Sequence, residues 1–264
     1  MRYKAVIEYD GGPYIGFQVQ PDGKSIQGTL QKALKTISKG HNIGVHGSGR
    51  TDSGVHAKGQ VIHFDYPAAI STHGLWRALN SVTPDSIRIK EVEAVEETFH
   101  ARYHTIGKRY EYHVDLAKYP SPFTAQYMLH HPYSTDVDRM QTALNDLIGT
   151  HDFKSFCSTK TDKTDFVRTL TQAQVDYDAE NHHLTFTFAG DGFLYNMVRI
   201  LVGTALQIGD GLRPVDEMQR LLAVKDRNEA GPTAPAHGLY LMAVDYMDRA
   251  DIDAKVASWE DHRR

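Results

Sequence analysis

The sequence predicts an α+β protein built as two sandwich modules, and three observations carry that reading. Short runs such as "YKAVIEYD" and "HHLTFTFAG" alternate apolar and polar residues with the period of half-buried strands. Residues 25–37 and 137–148 instead place apolar side chains at helical spacing, each run closed by a glycine. These elements follow one another without the regular strand–helix alternation of a doubly wound parallel sheet.

In chain order, Tyr3, Ala5, Ile7 and Tyr9 alternate along a first strand that ends at the Asp10-Gly11-Gly12 turn. Ser25 has the side chain of an N-cap; Ile26, Leu30, Ala33, Leu34 and Ile37 form one face of the helix behind it, and Gly40 stops it. The run "GSGRTDSGVHAKGQ", residues 47–60, leads into the strand "QVIHFDY". Ser71 starts a second helix with Leu75, Trp76 and Leu79 on its apolar face, and "IRIKEVEAV" is a further strand. A second half repeats the grammar. "KRYEYHVDL" is a strand, and Val137, Met140, Leu144, Leu147 and Ile148 mark a helix closed by Gly149. "TLTQAQVDYD" and "HHLTFTFAG" pair around a polar turn at Glu180-Asn181, "FLYNMVRILVGTALQIG" is a strongly apolar helix, and "LYLMAVDYM" is a late strand. Each half thus mixes strands with two helices, and no short fixed repeat is present. The boundary is placed near residues 103–107, giving an N-terminal subdomain over 1–105 and a C-terminal one over 106–247. Residues 248–264 read as a tail forming a short, frayed helix.

With 264 residues, 41% hydrophobic and 23% charged, the chain has the composition of a globular protein able to bury a large core. Cys157 is the single cysteine, so no internal disulfide forms and a reducing compartment is expected. "MRYKAVIEYDGG" holds no apolar stretch of signal-peptide length, and no segment approaches the roughly 20 apolar residues of a membrane span. A cytoplasmic protein without membrane contact is the expectation. The net charge of −4 argues against a broadly basic nucleic-acid binder, although a local basic cleft can sit on an acidic protein. The 15 histidines are scattered: the pairs His130–His131 and His182–His183, and His100 with His104, stand with no cysteine or carboxylate at a metal-site spacing. No metal is expected.

The run 47–60 sets Arg50 and Asp52 two residues apart among glycines and small hydroxyl residues. A dinucleotide loop needs G-x-G-x-x-G between a strand and a helix, whereas the glycines here fall at 47, 49 and 54 and a strand follows. A P-loop would end in Gly-Lys-Ser/Thr, which is absent. Asp52-Ser53-Gly54 matches the Asp-Ser/Thr-Gly of aspartic proteases, but no second such triplet supplies the partner aspartate, and the polar Arg50-Thr51 precedes it. Two readings stay open on these residues alone: a surface turn, since Gly, Ser and Asp favour turns, and a loop bearing a catalytic aspartate.

"GSGRTDSGVHAKGQV" resembles the signature of the TruA-type tRNA pseudouridine synthases, a pattern close to G-[AS]-G-R-T-D-[AS]-G-V-H-A. Further blocks resemble the same family in the same order: "YDGGPYIGFQVQP", "SIQGTLQKAL", "FHARYHTIGKRYEYHV", "GTHDFKSF", "GDGFLYNMVRILVG" and "APAHGLYLMAVDY". The resemblance runs from about residue 3 to about residue 247. Ser48 and Ser53 stand where alanine is common, and Thr83 where leucine often precedes the proline. None of these belongs to the catalytic set.

The resemblance implies the pseudouridine synthase fold, two ferredoxin-like α/β sandwich modules whose mainly antiparallel sheets join around a central cleft. It implies isomerisation of uridine in place at positions 38, 39 and 40 of the tRNA anticodon stem–loop, with no cofactor. The N1–C1′ bond breaks, the base turns, and C5 bonds to C1′. Asp52 would act as nucleophile at C1′ or C6, or would take a sugar proton and pass through a glycal. Burial beside a base would raise its pKa, which calls for a nearby cation. By the family pattern that cation is Arg199, pairing with Asp52 across the cleft; Met197, Val198, Ile200, Leu201 and Val202 around it make an unpaired charge costly.

Tyr110 would lie against the flipped uracil and help remove the C5 proton. Tyr112 has the same parity, and only the resemblance chooses between them. Arg50 would hold the target base out of the stack, Gly49 and Gly54 would let the backbone approach the nucleotide, and Thr51 and Ser53 would orient the carboxylate. Lys108 and Arg109 are further substrate-binding candidates, and Arg50, Lys108, Arg109, Arg168 and Arg199 are expected to gather on one face. The implied partners are tRNA and a second copy of the chain in a homodimer. Two rivals belong to other classes: a non-catalytic RNA-binding protein of the same fold, which predicts loss of the nucleophile, and a hydrolase pairing Asp52 with one of the many histidines, such as His56.

Overall fold

The computed structural model describes residues 1–161, 164–248, 250–252 and 255. They form two compact units, one of residues 1–106 with the described residues from 241 onward, the other of residues 107–240. Both mix helices with mainly antiparallel strands, the class that the sequence predicts.

In the first unit, β1 (Arg2–Tyr9) buries Tyr3, Ala5, Ile7 and Tyr9 on one face, the alternation read from the sequence. It runs antiparallel to β3 (His56–Asp65), with Val6 opposite Val61, and to β4 (Ile87–Val95), with Ala5 opposite Val92. The strand order is β4-β1-β3-β10, where β10 is Leu239–Tyr246. Helix α1 (Ile26–Ile37) starts where Ser25 Oγ accepts the Gly28 N–H, and it buries Ile26, Leu30, Ala33 and Leu34. Helix α2 (Thr72–Val82) is capped in the same way by Ser71, and Trp76 Nε1 donates to the Ile89 carbonyl at 2.8 Å, tying it to β4. Each leucine or isoleucine buried in these faces stabilises the unit by about 1.5–3 kcal/mol. The two-residue strand β2 (His46–Gly47) pairs antiparallel with the far end of β3, His46 opposite His63. The glycine-rich run is therefore the connection of a β2–β3 hairpin.

The second unit orders its strands β5-β9-β8-β7, with β5 at Thr105–Asp115, β7 at Gly149–Asp152, β8 at Val167–Asp178 and β9 at His183–Gly190. β5 faces β9 with Tyr110 opposite Phe188 and Tyr112 opposite Phe186. The turn between β8 and β9 is the polar one expected: Asp178 Oδ1 accepts the N–H groups of Glu180 and Asn181. A short β6 (Leu129–His130) pairs parallel with the end of β5. Helix α3 (Val137–Asn145) stops before Ile148. Leu147 and Ile148 donate to the carbonyls three residues back, tightening the last turn, and β7 begins at Gly149. Helix α4 (Met197–Gly209) is buried on nearly every face, which explains its unbroken apolar run. It begins at the left-handed Asn196, φ 60°, so residues 193–196 form a turn outside the helix. A third helix, α5 (Glu217–Val224), adds to the two expected in this half. Its buried Glu217 is held between Arg213 and Arg220.

Most of the tail helix expected over 248–264 lies outside the described residues, although 250–252 are helical. Among the described residues, no helix is long and apolar enough to cross a membrane.

Candidate active site

The β2–β3 connection is held from beneath by buried polar side chains. The Gln60 amide, on β3 and 0% exposed, accepts from Ser48 Oγ at 2.6 Å and from the Val61 N–H at 3.1 Å. Its Nε2 donates to the Gly49 carbonyl at 3.0 Å and points to the Tyr9 hydroxyl at 3.5 Å. That hydroxyl meets Thr51 Oγ1 at 2.8 Å, and burial pushes the Tyr9 phenol up to about 12, so it stays protonated. The backbone is fixed as well: Ser48 N–H donates to Val61 O, Phe17 N–H to Thr51 O, and Val55 N–H closes a turn on Asp52 O. Gly54 takes φ 77° in that turn, a left-handed conformation that glycine adopts without a Cβ penalty. Ser48 and Thr51 therefore face inward while Arg50 and Ser53 are exposed and Asp52 is half-buried. The Ser53 hydroxyl donates to the Tyr14 carbonyl at 3.2 Å, and the Thr51 hydroxyl meets Tyr9.

His56, the hydrolase candidate, is buried with its Nδ1 accepting the Gly11 N–H at 3.0 Å and lying 3.1 Å from Asp10 Oδ1. The ring thus supports the Asp10-Gly11-Gly12 turn, whose Gly12 N–H also binds Asp10. With the ring 2% exposed and its Nδ1 engaged by the turn, His56 has a supporting place in the fold.

In the second unit, Lys108, Arg109 and Tyr110 follow one another on β5, opposite Gly190, Ala189 and Phe188 of β9. Leu170 of β8 reaches the same Gly190 from the other side, which brings Arg168 to this end of the sheet as well. The two tyrosines of equal parity separate here. Tyr112 is fully buried and its hydroxyl donates to the Pro235 carbonyl at 2.8 Å, while burial raises its pKa against the opposing charge of Arg199. Tyr110, 9% exposed, sits at the edge of the core with its ring T-shaped against Phe193 at 5.0 Å. Arg199, in the first turn of α4, is half-buried. Its Nε donates to the Ala234 carbonyl at 2.6 Å and its Nη1 to Asn196 Oδ1 at 2.9 Å. Arg199 and Tyr112 thus both donate to carbonyls of the 234–235 segment, bonds that help orient the guanidinium.

The structure assembles one group that sequence spacing hides. His46, His63 and His100 each bring a ring nitrogen to within 4.8 Å of the others. The chemistry of the donors fits a packed cluster better than a cation site. His63 Nδ1 accepts the Ala101 N–H at 3.1 Å, and His100 Nδ1 accepts the Arg102 N–H at 3.1 Å. A neutral imidazole with an accepting Nδ1 carries its proton on Nε2, so ligation at Nε2 would force a proton onto Nδ1 and break the backbone bond. Sequence reasoning also passed over Tyr9 and Gln60.

The described chain is thus an α+β protein with the half-buried carboxylate of Asp52 on a pinned hairpin loop. The family model described as tRNA pseudouridine synthase matches residues 5–104 and 143–247. The tRNA pseudouridine synthase A of Latilactobacillus sakei subsp. sakei (strain 23K) is 51% identical over 245 residues, covering 93% of this chain and 98% of that protein. The tRNA pseudouridine synthase A of Lacticaseibacillus casei (strain BL23) is 52% identical over 244 residues, covering 92% and 99%. Among solved structures, that of the archaeal box H/ACA sRNP Nop10–Cbf5 complex aligns with 77% of this chain and 44% of that one, at 11% identity and a TM-score of 0.34. The chain belongs to the tRNA pseudouridine synthase family, isomerases that convert uridine to pseudouridine.

Proposed function

We propose that this isomerase acts on uridines 38, 39 and 40 of the tRNA anticodon stem–loop, with Asp52 as its nucleophile. The observation that carries the reading is the presentation of Asp52, half-buried and directly after a stretch of the loop that Gln60 and Tyr9 pin at Gly49 and Thr51. A group held that way can meet a reacting atom without first being ordered. Exposed Arg50, two residues before it, is the group that holds the extruded nucleotide by phosphate or base.

The reaction conserves atoms and electrons. The N1–C1′ bond breaks and the electron pair leaves with the uracil; the base turns, and C5 bonds to C1′. The C5 proton is removed, with Tyr110 assisting, and N1 regains a proton. Asp52 attacks C1′ or C6, or removes a sugar proton to give a glycal; in each case it is regenerated at the end. Arg199, oriented by the Ala234 carbonyl and Asn196, is the third member of the catalytic set with Asp52 and Tyr110. Lys108, Arg109 and Arg168 serve the phosphate backbone, and recognition is by shape and backbone more than by base edges. The enzyme works without a cofactor, as a homodimer in the cytoplasm.

Unmodified tRNA carrying uridines at 38 to 40 is incubated with the wild-type protein and with Asp52→Ala, then treated with a carbodiimide that marks pseudouridine. Primer-extension stops at those positions with wild type alone are the expected result. Binding without stops by the wild type would move the chain to the non-catalytic RNA-binding reading.

A further inference from the structure

We infer that Tyr9 and Gln60 are positioning residues for the reaction: a buried clamp that sets where Arg50 and Asp52 stand, acting through Ser48, Gly49 and Thr51 and touching no RNA. The inference rests on the assignment of Asp52 as nucleophile.

The clamp is complete as chemistry. A glutamine amide offers two acceptor directions and two donors. Gln60 uses its oxygen for Ser48 Oγ and the Val61 N–H, and its nitrogen for the Gly49 carbonyl and the Tyr9 hydroxyl. The amide cannot be turned over, because its NH₂ would then face the Val61 N–H and its oxygen the Gly49 carbonyl. Its orientation is thus dictated by two backbone groups, and it dictates in turn where the chain leaves β2. Tyr9 does the same on the other side of Arg50, through Thr51 Oγ1.

The clamp therefore brackets the loop: residues 48 and 49 are held by one side chain, residue 51 by the other, and the two side chains touch. Arg50 stands between the held points and Asp52 directly after them. All of the clamp side chains are buried, so a direct contact with RNA is not their role. Buried polar groups that are fully satisfied rigidify what they hold, and leaving one unsatisfied is costly. An apolar residue at position 60 would fill the space and leave the loop free to drift.

The test compares Tyr9→Phe, Gln60→Leu, Thr51→Val and Thr51→Ser with wild type and Asp52→Ala, measuring kcat, KM for tRNA and thermal midpoint. Displacing a catalytic group by a fraction of an ångström is expected to lower kcat by about tenfold or more, with KM within about threefold. Thr51→Ser keeps the hydroxyl and should restore most of what Thr51→Val loses. The double variant Tyr9→Phe/Thr51→Val should be no worse than Tyr9→Phe, because that variant has already lost the bond to Thr51. If Gln60→Leu does not fold, Tyr9→Phe decides, since it removes one oxygen and no volume. A folded Tyr9→Phe with wild-type kcat overturns the inference, and so does a loss confined to KM. The two readings fail separately. Wild-type turnover by Asp52→Ala removes the nucleophile assignment and this inference with it, whereas an inactive Asp52→Ala beside an unimpaired Tyr9→Phe removes the clamp alone.

Discussion

Lowering the pH from 7.5 to 5.0 should weaken the first unit through His63. That imidazole is 2% exposed and is pushed down to about 3, first by burial, then by His100, His46 and Arg2, with Asp65 opposing. His100 is pushed down to about 4, by burial and then by His46, His104, Arg2 and Arg102. In the unfolded chain both titrate near the ordinary value of about 6.5. Below that value the unfolded chain takes up protons that the folded one refuses. Stability is therefore lost as the pH falls through 6.5, and the loss grows until the folded values near 3 to 4 are reached. At pH 5.0 the interval for His63 is about 1.5 units, or about 2 kcal/mol, against almost nothing at pH 7.5. Half-buried His100 adds a fraction of that, reduced by solvent screening. The carboxylates do not blur this window: Asp65 and Glu217 are held below their usual range by Arg2 and by Arg220 with Arg213, so their contribution is lost only at lower pH. Urea unfolding at the two pH values should show wild type losing about 2 kcal/mol more than His63→Asn, whose Oδ1 still accepts the Ala101 N–H without titrating. Equal losses in the two proteins would refute the argument.

The two tyrosines of β5 should part company. Tyr112→Phe strands the Pro235 carbonyl and should lose about 1–2 kcal/mol of stability while keeping kcat, whereas Tyr110→Phe should keep its thermal midpoint and lose turnover. Gly16 sits at φ 115°, and a Cβ there would stand 2.9 Å from the Thr51 carbonyl. Gly16→Ala should therefore cost about 1–3 kcal/mol in thermal or urea unfolding and depress kcat, since the displaced backbone carries Asp52.

Legibility in the sequence followed how local the physics is. The alternation of β1 and the Ser25 and Ser71 caps were readable because strand parity and N-capping depend on a few adjacent residues. The strand β7 was not: four residues, "GTHD", carry no alternation, and a helix that tightens at Leu147 looks from the sequence like one that runs on to Gly149. Helix α5 was missed because its eight residues are tied down by Arg213 and Arg220 on Glu217 and by Glu229, charges whose pairing is invisible until the chain folds. The histidine trio is hidden by separations of 17 and 37 residues along the chain, closed only when β2 meets β3 and the segment after Phe99 returns.

The same reasoning explains why the side chains proposed to act in the loop were legible and their supports were not. Attack on a sugar or base demands a carboxylate, and gripping a phosphate or a flipped base favours a planar cation, so the residue types themselves announce a motif. Holding a loop demands only a donor and an acceptor at the right places, which many residues can supply. Nothing in "QVIHFDY" marks its glutamine as the neighbour of Gly49, and nothing in "YKAVIEYD" marks its last tyrosine as the partner of Thr51, 42 residues away. Their meaning comes from the register of β1 on β3, which puts Tyr9 opposite Ala57 and Ile7 opposite Gln60, so that both side chains arrive beneath the same turn. A one-residue slip of that register would send Tyr9 and Gln60 to opposite faces of the sheet and leave Arg50 and Asp52 on an unsupported loop. The precision of the site is thus set by the strand pairing, and the loop motif alone would not secure it.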